Sequence, residues 1–408
     1  MLLLFMIHLV DVLFVFGSPL KNEYADNGCS PSIRYKDDNP NGLQPLVLTR
    51  DATVSKILYP QKNRMLKVQT GQSIYLECPG DKNFVRPNTN LKEVKATCVG
   101  NNMFNVNGEN KNFSAITCSY VPEDIARRTN SWCYDNKSTY VEIGFNLTTN
   151  FLPLIKLCYN EETYITYYAK FRMTKWIGET QKCCTRRQFV KGDFFGNINI
   201  NNQYQITTQR DTLTILLNSR EWVESNINTS QCLTRGHLVA MNYFVYNSMQ
   251  LSTFWFINTA PQWSSFNSGN WNILENNVRA LASNRSLDLD VYIGVHGQMT
   301  LPNFNKTETP IYLYVNGTTK ALPVPKFFWK IIYDPQSKKG TAFVGLNHPF
   351  IKSITKDIYI CNDISSTINW LTWEPRNIRK GISYACTVED LRRAVPTIPK
   401  LTTSGVLT

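Results

Sequence analysis

A chain of 408 residues with 42% apolar and 12% aromatic side chains can bury a core, which excludes a disordered tail, and its length points to two domains rather than one small module. A net charge of +12 decides nothing about fold, but it turns attention to polyanionic partners: nucleic acid, heparin-like glycans or an anionic surface.

The chain opens on "MLLLFMIHLVDVLFVFGS", an almost wholly apolar run too short to favour a spanning helix, so residues 1–18 are expected to be a cleaved signal peptide. No later stretch is long and apolar enough to cross a bilayer, so no membrane partner is expected. Eleven cysteines, scattered rather than gathered into C-x-x-C pairs, predict disulfides over a zinc site. Cys183 and Cys184 are adjacent and are expected to pair with other cysteines. Seven N-x-[ST] sequons, at Asn112, Asn136, Asn146, Asn228, Asn284, Asn305 and Asn316, agree with a secreted, glycosylated protein.

Residues 19–150 read as a small, disulfide-stapled β-rich domain. "LKVQTGQSIYLECPG" and "VKATCVGNNMFNVNG" alternate apolar and polar side chains between Gly, Asn and Pro punctuation, and no catalytic constellation is visible there. Residues 151–408 read as mixed α and β. "TYITYYAKFRM" predicts a strand, "LSTFWFINTA" a buried strand, and "DLDVYIGVHG" and "KFFWKIIYD" two more. "GNWNILENNVRALASN" has helical spacing, with Trp271, Leu274, Val278 and Leu281 on one side. "CTVEDLRRAV" opens a helix with Thr387 and Asp390 at capping-box spacing. The expected class is α+β.

Only four histidines occur, and His237 lies in "CLTRGHLVAMNYF" two residues after Arg235. With an unperturbed pKa near about 6.5, a histidine can serve as the base that activates water for phosphodiester cleavage. Gly236 lets the backbone approach a ligand, and Arg235 can grip a phosphate with two parallel hydrogen bonds. Asn267 offers a hard, neutral oxygen for magnesium, which keeps most of its waters. Glu275, eight residues on, shares a face with it if the helix extends back that far, and can then hold metal-bound water or the asparagine itself. Taken singly, each of these residues has a bland structural alternative. Of the basic stretches, "KFRMTKW" and "QKCCTRRQFVK" could track a phosphate backbone with Trp176 or Phe189 for stacking, or form a solvated strand face. His296 and His348 read as structural.

"TRGHL" followed by "FINTAPQWSSFNSGNWNILE" resembles the DNA/RNA non-specific endonuclease family, whose pattern is D-R-G-H, then N-x-x-P-Q, then N-x-G-x-W-x-x-L-E. Arg235, Gly236, His237, Asn258, Pro261, Gln262, Asn267, Gly269, Trp271, Leu274 and Glu275 fall in register. The resemblance implies a ββα-metal nuclease domain over most of residues 151–395. It implies His237 as general base, Asn267 as the direct ligand of Mg2+ (or another hard divalent cation such as Mn2+), Glu275 supporting the metal's water shell, and Asn258 positioning the base or substrate. It also implies Arg235 with Arg186 or Arg187, in "CTRRQF", on the phosphate. With its leader and front domain, the chain looks most like secreted arthropod nucleases that digest double-stranded RNA. Two departures stand out: Thr234 replaces the aspartate of D-R-G-H, and "LVAMNYF" replaces L-A-P-x-A-D-F, which reads as making Asn242 the second lost acid. These losses open a second reading, a high-affinity nucleic-acid binder with weak residual turnover. A third, a polyanion-binding interaction protein, leaves the spaced asparagines, the glutamate and the histidine unexplained.

Overall fold

The computed structural model describes residues 28–33, 43–87, 89–181 and 186–408. The expected leader and Cys183–Cys184 lie outside the described residues.

Two antiparallel sheets organise the chain. The front sheet has six strands in the order Val54–Ile57, Leu46–Asp51, Ser73–Glu77, Glu93–Gly100, Met103–Val106 and Glu109–Asn112. It forms where the sequence alternates. In Glu93–Gly100, Val94, Ala96 and Cys98 are buried and Lys95 and Val99 face out, and left-handed Asn101, Asn102, Asn107 and Gly108 make the turns that follow. Cys29–Cys98 and Cys78–Cys118 staple this region.

The large sheet has eight strands, in the order Ser383–Cys386, Lys339–Leu346, Pro325–Asp334, Leu289–Gln298, Ile165–Met173, Phe151–Asn160, Ser138–Asn146 and Ile125–Trp132. Two of these strands precede residue 150 in the chain. Cys133–Cys158 and Cys361–Cys386 tie the sheet to its flanks. Both faces of its centre are covered, so a central strand reads as one apolar run. Within Pro325–Asp334, Phe327, Trp329 and Ile331 join the core on one face, and Phe328 and Ile332 join the core on the other. Lys330 falls on the second face and is fully buried.

On that second face sits a two-stranded hairpin, Leu233–His237 against Thr259–Trp263, followed by helical chain from Ser264 to Asn284. Together these make a strand–strand–helix unit. Trp271, Leu274, Val278 and Leu281 are buried as their spacing predicts. Thr387 accepts from the Asp390 amide and starts the helix Val388–Ala394. One expectation needs correction. "LSTFWFINTA" is not a strand; Phe256–Asn258 form a 3-10 turn and extended chain begins only at Thr259. The side chain of Asn258 is the reason: it accepts from Val239 N at 3.0 Å and donates to Val239 O at 2.9 Å and Thr253 O at 3.0 Å, replacing ladder bonds with local ones.

Candidate active site

The hairpin and helix meet at a cleft of about 220 Å³ lined by Arg186, His237, Asn242, Asn267, Asn272 and Glu275, with Ala240, Met241 and Phe254. His237 ends the first hairpin strand, opposite Thr259. Its ring lies 5.1 Å from Phe189 and 5.2 Å from Phe254, centroid to centroid, and its Nε2 is buried with no hydrogen-bond partner. Burial, with the Arg186 charge adding to it, lowers the imidazole pKa to about 4, so the ring is neutral at physiological pH. Asn258 lies behind the cleft rather than in it. Its backbone oxygen accepts from Leu238 N at 2.8 Å and its amide grips Val239, so it fixes the two residues that follow His237.

Asn267 comes from the helical side. The helix does not run back to it unbroken: a short helical turn over Ser264–Phe266 is joined to the helix Asn272–Asn284 through a wide π-type turn over Asn267–Trp271 that kinks at Gly269. Gly269 makes that turn possible: a Cβ there would meet Lys380 O at 2.5 Å. Asn270 clamps the outside of the turn, donating to Glu374 O and Gly381 O at 2.7 Å each. The turn swings Asn267 into the cleft, where its Nδ2 donates to Thr234 Oγ1 at 3.0 Å. Glu275 lines the same cleft, and its Oε1 lies 3.7 Å from Lys330 Nζ. Lys330 also donates to the Tyr243 hydroxyl at 2.6 Å and sits over the Trp271 ring. Burial raises the Glu275 carboxyl and lowers the Lys330 ammonium to about 8, while their mutual attraction opposes both shifts.

The two candidate arginines of "CTRRQF" separate cleanly. Arg186 lines the cleft, with no ion pair among the described residues. Arg187 is committed to buried Asp124, with contacts of 2.8 Å to both carboxylate oxygens, and Trp255 Nε1 donates to the same carboxylate at 2.6 Å. Arg235 does not line the cleft. Its guanidinium donates to Asn201 Oδ1 at 2.7 Å inside a box of Phe189, Tyr204 and Phe256. Gly236 approaches protein rather than ligand, because a Cβ there would meet Gln262 Oε1 at 2.4 Å.

Three polar contributors escaped the sequence reading. Asn272 lines the cleft, and Arg279, a turn beyond Glu275, donates to Thr180 Oγ1 at 3.3 Å. Their spacing of three and four from Glu275 was the available signal. Lys330 carried none, because a lysine inside "KFFWKIIYD" reads as an edge residue. The second departure also needs a corrected register. Set residue by residue against L-A-P-x-A-D-F, "LVAMNYF" puts Tyr243 at the aspartate, and Asn242 falls one position earlier.

Among the described residues no three His, Cys, Asp or Glu side chains gather as a metal cluster. The donors at the cleft fit a hard, hydrated divalent ion instead. Asn267 has its amide nitrogen committed to Thr234, which leaves its oxygen for a ligand, and Asn242 Oδ1 is buried without a partner.

The chain is similar to known proteins over most of its length. The profile described as DNA/RNA non-specific endonuclease matches residues 136–391. A "Salivary endonuclease" of Lutzomyia longipalpis is 27% identical over 383 residues, covering 92% of this chain and 86% of that protein. "Salivary protein Tsal2A" of Glossina morsitans morsitans is 23% identical, covering 90% and 92%. A "Salivary endonuclease" of Culex quinquefasciatus is 25% identical, covering 80% of each. Among solved structures, that of an EndoG/EndoGI complex covers 62% of this chain and 87% of that chain, at a TM-score of 0.35 and 17% identity.

Proposed function

The chain belongs to the DNA/RNA non-specific endonuclease family, and on that premise we propose that it is a secreted, metal-dependent endonuclease that hydrolyses phosphodiester bonds of DNA and RNA, double-stranded RNA included, without regard to sequence. The observation that carries the reading is convergence. Arg186, His237 and the Asn267–Glu275 pair, from three separate segments, line one cleft.

The division of labour follows from the surroundings of each group. His237, neutral because it is desolvated, takes a proton from the attacking water. Asn258 holds the chain beyond it and so fixes the ring's approach. Asn267 Oδ1 would hold Mg2+ or Mn2+, with Glu275 orienting the ion's waters; the bound ion would supply charge stabilisation at the phosphoryl oxygens and the leaving oxygen. Arg186 faces the phosphate, while Arg187 and Arg235 support the cleft from behind. Backbone and ion contacts carry no base information, which agrees with sequence-independent cleavage. Export is supported by the salivary relatives, by four disulfides among the described residues, and by the exposure of all seven sequon asparagines.

The test is degradation of plasmid DNA and of double-stranded RNA by purified protein with Mg2+, with chelator and with His237→Ala. Activity that survives either treatment removes the reading. A second reading, tight nucleic-acid binding with feeble turnover, draws on Thr234 and Tyr243 standing where the family has acids. Strong binding with turnover near background would favour it.

A further inference from the structure

The ionisable groups around the cleft are unusual for a site that must attract a dication. Asn242, Asn267 and Asn272 are neutral, and Thr234 adds a hydroxyl where a carboxylate would add charge. Among the described residues Glu275 is the one carboxylate lining the cleft, and buried Lys330 already faces it at 3.7 Å. Arg186 adds a positive charge at the cleft, and Arg279 lies one turn beyond Glu275. Summed over these groups, the cleft carries no net negative charge before any ligand arrives.

Neutral carboxamides can ligate magnesium, but they do not offset its charge or the cost of removing its water. A nucleic-acid phosphodiester supplies the missing anion and also satisfies Arg186. We propose that this cleft takes its divalent cation and the phosphodiester together: the ion binds weakly to the free protein and is drawn in by nucleic acid, with the Asn242 and Asn267 carboxamides as a neutral donor pair. Asn242 enters because its Oδ1 is buried at the cleft without a hydrogen-bond partner, a cost that a cation or one of its waters would relieve. This proposal rests on the nuclease reading and specifies the order in which its site fills. By linkage, the cation must raise affinity for nucleic acid by the same factor that nucleic acid raises affinity for the cation.

The test measures Mn2+ binding directly, by the electron paramagnetic resonance signal of free Mn2+. It uses the whole protein carrying His237→Ala so that substrate is not consumed. Affinity is read with Mn2+ alone and with a saturating single-stranded oligodeoxynucleotide, after subtracting ions held by the oligonucleotide itself. Expected is a tightening of at least about tenfold by the oligonucleotide, within the usual range of coupling between sites. Asn242→Asp is expected to tighten binding of Mn2+ alone and shrink that ratio. Equal Mn2+ affinity with and without oligonucleotide overturns the proposal and needs no variant at position 242. The nuclease reading fails separately, by absence of cleavage in wild-type protein supplied with Mn2+.

Discussion

Asn267 Nδ2 donates to Thr234 Oγ1 at 3.0 Å, and the same hydroxyl donates its only proton to Gln262 O at 2.8 Å. The hydroxyl can therefore only accept from Asn267, so the amide nitrogen must face it and the amide oxygen must face away. A threonine thus performs, without charge, the orienting task expected of the aspartate it replaces. Thr234→Val keeps the shape and removes the acceptor. Metal-dependent cleavage is expected to fall by about 10–100-fold, the usual cost of losing an outer partner of a metal ligand, while Thr234→Ser retains activity. Plasmid-nicking rates across a Mg2+ titration measure both, and a fully active Thr234→Val would sever Thr234 from the site.

The environment of His237 fixes a pH dependence. Its folded pKa lies at about 4, below the ordinary value, because Phe189 and Phe254 desolvate it and Arg186 repels its proton. In the proposed role of base His237 works when deprotonated, so the acid limb of kcat/KM is expected near pH 4, with full activity retained through pH 6. Arg186→Ala removes the repulsion and should move that limb upward. The stability consequence runs in the same direction. Below the unfolded value of about 6.5 the unfolded chain gains a proton that folded His237 resists, so stability falls as pH drops from about 6.5 towards 4. A kcat/KM profile for wild type and Arg186→Ala checks the catalytic half, and thermal melts over the same range check the other.

What the sequence disclosed depended on whether the information was local. Alternation in "VKATCVG" and the spacing of Trp271, Leu274, Val278 and Leu281 are local patterns, and each produced the expected element. The residues of the R-G-H and N-x-G-x-W-x-x-L-E segments were legible because their spacing is fixed. Which way each side chain points was not, since that depends on packing partners far along the chain. Arg235 is claimed by Asn201 and an aromatic box, and Arg187 by Asp124, 63 residues earlier. Lys330 enters the site from a strand whose other face packs a separate core, a placement that strand order alone decides.

Arg186 and Arg187 are adjacent and are expected to behave oppositely. Arg186→Ala removes a cation that lines the cleft and, in the proposed function, faces the phosphate. Nucleic-acid binding should weaken, and the slope of log affinity against log salt should become shallower by about one unit. Arg187→Ala leaves buried Asp124 without its cation, which is expected to lower stability by about 3 kcal/mol and leave the salt slope intact. Salt-dependent filter binding and urea unfolding on the two variants separate these effects. A shallower slope for Arg187→Ala would exchange the assignments.

Lys330 and Glu275 offer a separation of stability from activity. Lys330→Met strands a carboxylate beside Tyr243 and Trp271, and breaking a buried pair in this way costs about 3–5 kcal/mol. Glu275→Gln alone leaves the lysine buried without a counter-charge, beside the Tyr243 hydroxyl and the Trp271 ring, which is also destabilising. The double variant removes both charges, so the losses should not add, and a coupling energy of about 1–3 kcal/mol is expected from urea unfolding. Activity should follow another rule. If Glu275 orients water in the cleft, the double variant stays inactive however much stability it regains, because the carboxylate is gone. Recovery of cleavage in step with stability would mean that Glu275 serves the fold alone, and the cleft would then have no working carboxylate.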